Sequence, residues 1–145
     1  MKTIVPYLFH GPIKPSEIAN LIEKYSGNRD AGAYSFFLGQ VRADRVGGKR
    51  VREIVYTAYE DMVAGEAGRI KEELFDIYDD LIHLEIRHSV GSVKTGEISL
   101  LVFAVSRHRE QAFKACNETV EKVKQKFPVW KKEVYEDETH EWKES

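Results

Sequence analysis

The residues of this 145-residue chain that could do chemistry are basic side chains placed at the ends of its regular segments. Arg42 closes the apolar run GAYSFFLGQVR (32–42). His108 and Arg109 stand between the run EISLLVFAVS (97–106) and the amphipathic stretch that follows it. Lys124 and Lys131 lie seven positions apart, one before Pro128 and one after Trp130. Arginine offers a phosphate or carboxylate a bidentate fork, and lysine a compact point charge. The free amides at the start of a helix from Arg109 would favour an anion as well. The chemistry this pattern suits is anion binding. Taken singly, each residue reads as a solvated surface charge, so the question for the fold is whether it gathers the three groups.

Lys124 has a second possible use. At about 100° per residue it falls about 20° from Phe113, at the border of the apolar stripe formed by Ala112, Phe113, Cys116, Val120, Val123 and Phe127. A lysine with its stem on an apolar wall is a candidate nucleophile or general base, since burial favours the neutral amine. Lys126 flanks the other side of the same stripe, and a snorkelling surface lysine fits either place. Periodicity leaves the choice between them open.

Other constellations are weaker. His88, on an alternating segment, reads as a hydrogen-bonded histidine at the core's edge. The five histidines show no metal-ligand spacing, and a single cysteine makes a structural zinc improbable. Cys116 reads as a small core residue. Gly47-Gly48 is a turn and not a nucleotide fingerprint, and no serine sits in a nucleophile-elbow pattern. Tyr56 and Tyr59 read as packing residues. No metal and no cofactor is expected. The 22 basic and 24 acidic residues give a formal charge of −2, against the basic excess usual in a nucleic-acid binder. One cysteine cannot close an internal disulfide, so a cytoplasmic location is expected. The start, MKTIVPYLFHGPI, does not read as a signal peptide, and no apolar run reaches the length of a membrane helix.

The elements that must hold these cations follow from the patterning. Thr3 to Phe9 reads as a short edge strand because of Pro6. Pro15 to Tyr25 is a helix with Ile18, Leu21, Ile22 and Tyr25 on one face. Gly32 to Arg42 is a strand in which Gly39 marks either a bulge or a close approach of the backbone to another group. A flexible basic loop, ADRVGGKR, leads into a hairpin with the strand Val51 to Tyr59. Glu60 to Tyr78 is a helix with Val63, Ala67, Ile70, Leu74 and Ile77 buried, and Gly65 and Gly68 suggest close packing. His83 to Val90 is a half-buried strand, Gly91 to Gly96 a turn, and Glu97 to Ser106 a central strand buried on both faces. A helix then runs from Glu110 to Phe127, where Pro128 stops it. Lys131 to Tyr135 is a last strand, followed by a polar tail. Hairpins mixed with helices point to one α+β domain over residues 1–145, a mostly antiparallel sheet with three packed helices.

In combination, GAYSFFLGQVR (32–42), YTAYEDM (56–62), HSVGSVKTGE (88–97), VSRHREQAF (105–113) and KQKFPVWKKE (124–133) resemble the large, catalytic subunit of molybdopterin synthase. The resemblance covers nearly the whole chain. It implies a hammerhead-type α+β fold and a sulfur-transfer activity. The sulfur would come from the C-terminal Gly-Gly thiocarboxylate of a small ubiquitin-like partner and go twice to cyclic pyranopterin monophosphate, forming the dithiolene of molybdopterin. It also implies a homodimer within a heterotetramer; the charge balance and the lack of a membrane-length apolar run argue against nucleic acid and membrane as partners.

Carried over by position, Lys124 and Lys131 match the family's pocket lysines, Arg42 its pocket arginine and Phe37 a pocket aromatic. His108 and Arg109 match a pair that reaches the site from the neighbouring subunit and binds the substrate's phosphate. The chain departs from the family pattern in three places. His88-Ser89 replaces the usual His-Arg, Gln40 stands where a basic residue is common, and the sequence ends soon after Trp142, leaving Lys143 as a substitute for a basic tail residue. Two other readings remain open on the residues alone. One is a non-catalytic scaffold for the ubiquitin-like partner, against which the retention of Arg42, His108, Arg109, Lys124 and Lys131 counts. The other is an anion- or RNA-binding module built on the basic segment Arg42 to Arg52, whose binding would weaken steeply with salt.

Overall fold

The computed structural model describes residues 3–5 and 7–144, with side chains from Tyr7 onward. Pro6, on which the edge-strand reading of the first segment rested, lies outside the described residues. The elements are β1 (Thr3–Val5), β2 (Leu8–His10), α1 (Pro15–Ser26), β3 (Ala33–Gln40), β4 (Arg45–Val46), β5 (Lys49–Ala58), α2 (Glu60–Ile77), β6 (Leu81–Lys94), β7 (Ile98–Ser106), α3 (Arg109–Lys126), β8 (Val129–Tyr135) and β9 (His140–Glu144). The class is α+β. Only β2 and β6 pair in parallel among the described ladders. Among the described residues, no helix is long and apolar enough to cross a membrane.

β6 joins the two halves of the sheet. Its first part, Leu81 to His88, pairs with β7, which in turn pairs with β3. Its last part, Gly91 to Lys94, pairs with β5, and the order continues through β8 to β9. β7 is buried on both faces, as its unbroken apolar run requires. Leu101, Phe103 and Val105 face α1, where Phe36 stacks on Phe103 with centroids 4.1 Å apart. Leu100, Val102 and Ala104 face the larger core, which α2 and α3 close with Val63, Leu74, Ala115 and Val123.

Several expectations shift. Phe113 is 60% exposed, because α3 lies on the sheet through Ala112, Ala115, Cys116 and Thr119, small residues that let the backbone approach. Ile77 is also exposed, at the end of α2 beyond the last buried position, Leu74. Gly65 and Gly68 mark no close contact. A Cβ at Gly65 would meet only the Arg69 guanidinium at 3.7 Å, and one at Gly68 would meet nothing within 4 Å. The basic loop is a tight hairpin, in which β4 pairs with the start of β5 around Gly47 and Gly48. Both glycines have positive φ, as a two-residue turn of this hand demands. The polar tail contributes β9, a mostly charged segment that no apolar period of two marks as a strand.

Candidate functional site

A cavity of about 350 Å³ opens where β3, β5, β6, β7, β8 and the last turn of α3 meet, and Phe37, Arg42, Lys124 and Lys131 all line it. Each arrives by a local rule. The β3 ladder shifts register between Gly39 and Gln40, which re-aims the strand's end. A side chain at Gly39 would press on Leu100 and Phe37 at 3.3 Å. Val41 is then buried and Arg42 emerges at the rim. Pro128 ends α3 so that Lys124 sits in its final turn, and β8 begins at once. β8 sets Lys131 directly opposite Tyr56 of β5.

The cavity wall carries polar groups that the sequence reading did not assign to it. The Tyr56 hydroxyl donates to Ser99 Oγ at 3.0 Å. His88, read as a hydrogen-bonded histidine at the core's edge, is buried and donates from Nδ1 to the Ser89 carbonyl at 2.8 Å. Burial lowers the His88 pKa to about 4. The Ser89 bond opposes that shift and the nearby Lys124 charge adds to it. The ring is therefore neutral at pH 7. Burial also pushes the Tyr56 phenol upward. No pattern in the sequence marks Tyr56, Ser99 or Glu133 as wall residues, because their convergence depends on which strands become neighbours.

The charges are unequally matched. Arg42 pairs with Asp44 at 3.3 Å, and buried Glu133 pairs with Lys143 at 2.9 Å. Among the described residues, no carboxylate comes within 4 Å of the Lys124 or Lys131 ammonium. The cavity thus presents two uncompensated cations beside a neutral imidazole, a setting suited to one or more anions. Gln40 lies on its wall. Ser89 is fully buried with its hydroxyl unpaired, so that position supplies no charge.

A second concavity of about 390 Å³ shares Phe37 and Lys124 with the first and extends over Phe113, Cys116 and Val120. Cys116 is buried and its thiol is pushed up by that burial, as a core residue's would be. His108 and Arg109 lie elsewhere, around a separate concavity with Gly32 and Arg107 where β3 begins. The Asp80 carboxylate accepts from the His108 amide at 2.7 Å and from its Nδ1 at 3.1 Å. Within one chain these two residues do not reach the cavity of Lys124 and Lys131.

Comparison with known proteins places this geometry. A molybdopterin synthase from Staphylococcus aureus superposes with a TM-score of 0.83 at 27% identity, over 94% of this chain and 95% of that one. A complex of subunits 1 and 2 of the molybdopterin-converting factor from Helicobacter pylori shares the fold, with a TM-score of 0.76 at 20% identity over 90% of this chain and 84% of that one. The molybdopterin synthase catalytic subunit of Drosophila pseudoobscura pseudoobscura is 38% identical over 92% of this chain, which spans only 36% of that relative's length. The subunit of the same name from Pyrococcus abyssi is 35% identical over 84% of this chain and 82% of its own length. The sequence profile described as "MoaE protein" matches residues 8–126. The chain therefore belongs to the MoaE protein family.

Proposed function

We propose that this chain is the catalytic subunit of a molybdopterin synthase, a cytoplasmic sulfurtransferase that works with a small ubiquitin-like sulfur carrier. One observation carries the reading: Arg42, Lys124 and Lys131, far apart in sequence, line one cavity in which neither lysine has a carboxylate partner among the described residues. A thiocarboxylate tail and a phosphorylated pterin are both anions, so this cavity matches the two reactants in charge.

In this reading the carrier's Gly-Gly tail enters beside Phe37. The tail's sulfur forms a C–S bond to a side-chain carbon of cyclic pyranopterin monophosphate, and that carbon's C–O bond breaks as its oxygen takes a proton and departs. A water then cleaves the acyl–sulfur bond of the thioester so formed. Sulfur stays on the pterin and a carboxylate on the carrier, and a second cycle completes the dithiolene. Lys124 serves as general acid/base, or transiently takes the tail's acyl group, and Lys131 orients and neutralises. His108 and Arg109 serve the neighbouring subunit of a homodimer, binding the substrate's phosphate there. Their solvent exposure and distance from their own chain's cavity are in keeping with that role.

The test is Lys124→Ala assayed with thiocarboxylated carrier and cyclic pyranopterin monophosphate. Dithiolene formation should fall by about a hundred-fold or more. Wild-type turnover would remove Lys124 from the mechanism.

A further inference from the structure

We propose that Lys143 is a positioning residue for the reaction: by holding the Glu133 carboxylate, it keeps that carboxylate from closing on Lys131. The inference rests on the reading that an unpaired Lys131 serves sulfur transfer.

The pleat of β8 puts Lys131 and Glu133 on one face, and both line the cavity. Residues two apart on a strand face are about 7 Å apart at Cα, a gap that a lysine side chain spans easily. Glu133 is 6% exposed, so its charge must be matched by a partner. The match comes from β9, where Lys143 Nζ lies 2.9 Å from Glu133 Oε1. The Tyr135 hydroxyl is 3.3 Å from the same oxygen, yet it also lies 3.1 Å from Glu141 Oε2 and has one proton to give. Lys143 is thus the only cation paired with Glu133 among the described residues.

The register sharpens the point. Lys143 stands directly opposite Lys131 across the β8–β9 ladder. Like charges so placed repel. The arrangement is accounted for by the carboxylate beside them, which takes one ammonium and leaves the other to the cavity. The Lys143 pKa is raised, first by its hydrogen bond to Glu133 and then by that residue's charge, as expected if the pair is the settled one. Without Lys143, Glu133 would have only a phenol, and the cation on its own strand face is Lys131. Pairing there would cancel one of the two cavity charges that have no carboxylate partner among the described residues.

Two readouts on the complex with the thiocarboxylated carrier separate this from a structural effect. The first is the acetylation rate of Lys131 by acetic anhydride, followed by mass spectrometry; the second is dithiolene formation. Lys143→Ala should slow both by about ten-fold or more, whereas Lys143→Arg should keep both. Lys143→Ala combined with Glu133→Gln should restore Lys131 labelling and return turnover to within several-fold of wild type. In the Glu133→Gln background, Lys143→Ala should leave Lys131 labelling unchanged, which tests the idea even if the single variant folds poorly.

Wild-type labelling of Lys131 in Lys143→Ala, or a double variant no better than the single one, overturns the proposal. Slowed labelling with undiminished turnover would leave the pairing standing but overturn both the positioning role of Lys143 and the role of Lys131 in the reaction.

Discussion

His88 meets Tyr56 edge to face, with ring centroids 5.1 Å apart and planes at 81°. Tyr56 is itself directly opposite Lys131 on the next strand. A buried neutral ring therefore backs Tyr56 on the wall that it shares with Lys124 and Lys131, and its neutrality has a measurable signature.

An unfolded His88 would take a proton near pH 6.5, whereas the folded ring holds out to about 4. Between those values the unfolded chain binds more protons, so stability is fully present above pH 6.5 and is lost as pH falls toward 4. The shift corresponds to about 3 kcal/mol. Urea unfolding at pH 7 and pH 4.5 should show most of this loss. His88→Gln should flatten the difference while lowering stability at pH 7.

Arg87 fastens α1 to the sheet. It donates to Glu17 at 2.8 Å and to Glu85 at 2.9 Å, and its guanidinium lies 4.9 Å from the Phe9 ring centroid. Burial alone would raise the Glu85 pKa, but bonds from His83 and Arg87 outweigh it and hold the carboxyl at about 2. That contribution is present above pH 4.5 and disappears as pH falls toward 2. Arg87→Met should cost about 2 kcal/mol at pH 7, allowing for the partial exposure of the network. Denaturant titration measures it, and turnover per folded molecule should be unchanged.

If each site takes Arg109 from a neighbouring copy, two inactive variants can complement. Lys124→Ala and Arg109→Ala chains, unfolded and refolded together, should form mixed dimers in which one of two sites is intact. Random pairing predicts about a quarter of wild-type turnover. Each variant alone should show none of that recovery, and a mixture as inactive as its parts would place Arg109 outside the site.

Gly68 lies inside α2 with open space where a side chain would go. Gly68→Ala should therefore stabilise the protein by about 0.5–1 kcal/mol, because the unfolded chain loses freedom and nothing clashes. A rise in the urea midpoint at constant slope checks it.

The sequence made the fold legible where one residue pattern has one physical outcome. The unbroken apolar run of β7, the stop at Pro128 and the Gly47-Gly48 turn each became the element they implied. Helix faces were harder. Phe113 belongs to the apolar period of α3, but alanines and a threonine can approach a sheet more closely than a phenylalanine can, and the helix settled on them. β9 was missed because its pairing is with β8 and its charged side chains give no apolar alternation. At the site, Arg42, Lys124 and Lys131 could be named from the resemblance. Their neighbours Tyr56, Ser99 and Glu133 could not be, since Ser99 is 43 residues from Tyr56 in sequence and 3.0 Å from it only across the folded cavity.

β6 belongs to both halves of the sheet without a break, and His88, on the cavity wall, lies just before the point where it changes partners. Opening the wall there means tearing two hydrogen-bonded ladders at once. Amide hydrogens of residues 86–93 should consequently exchange with deuterium only when the whole molecule unfolds, while those of β9 exchange by fraying. The reactants would then meet a stiff floor, with whatever motion their entry requires confined to the rim.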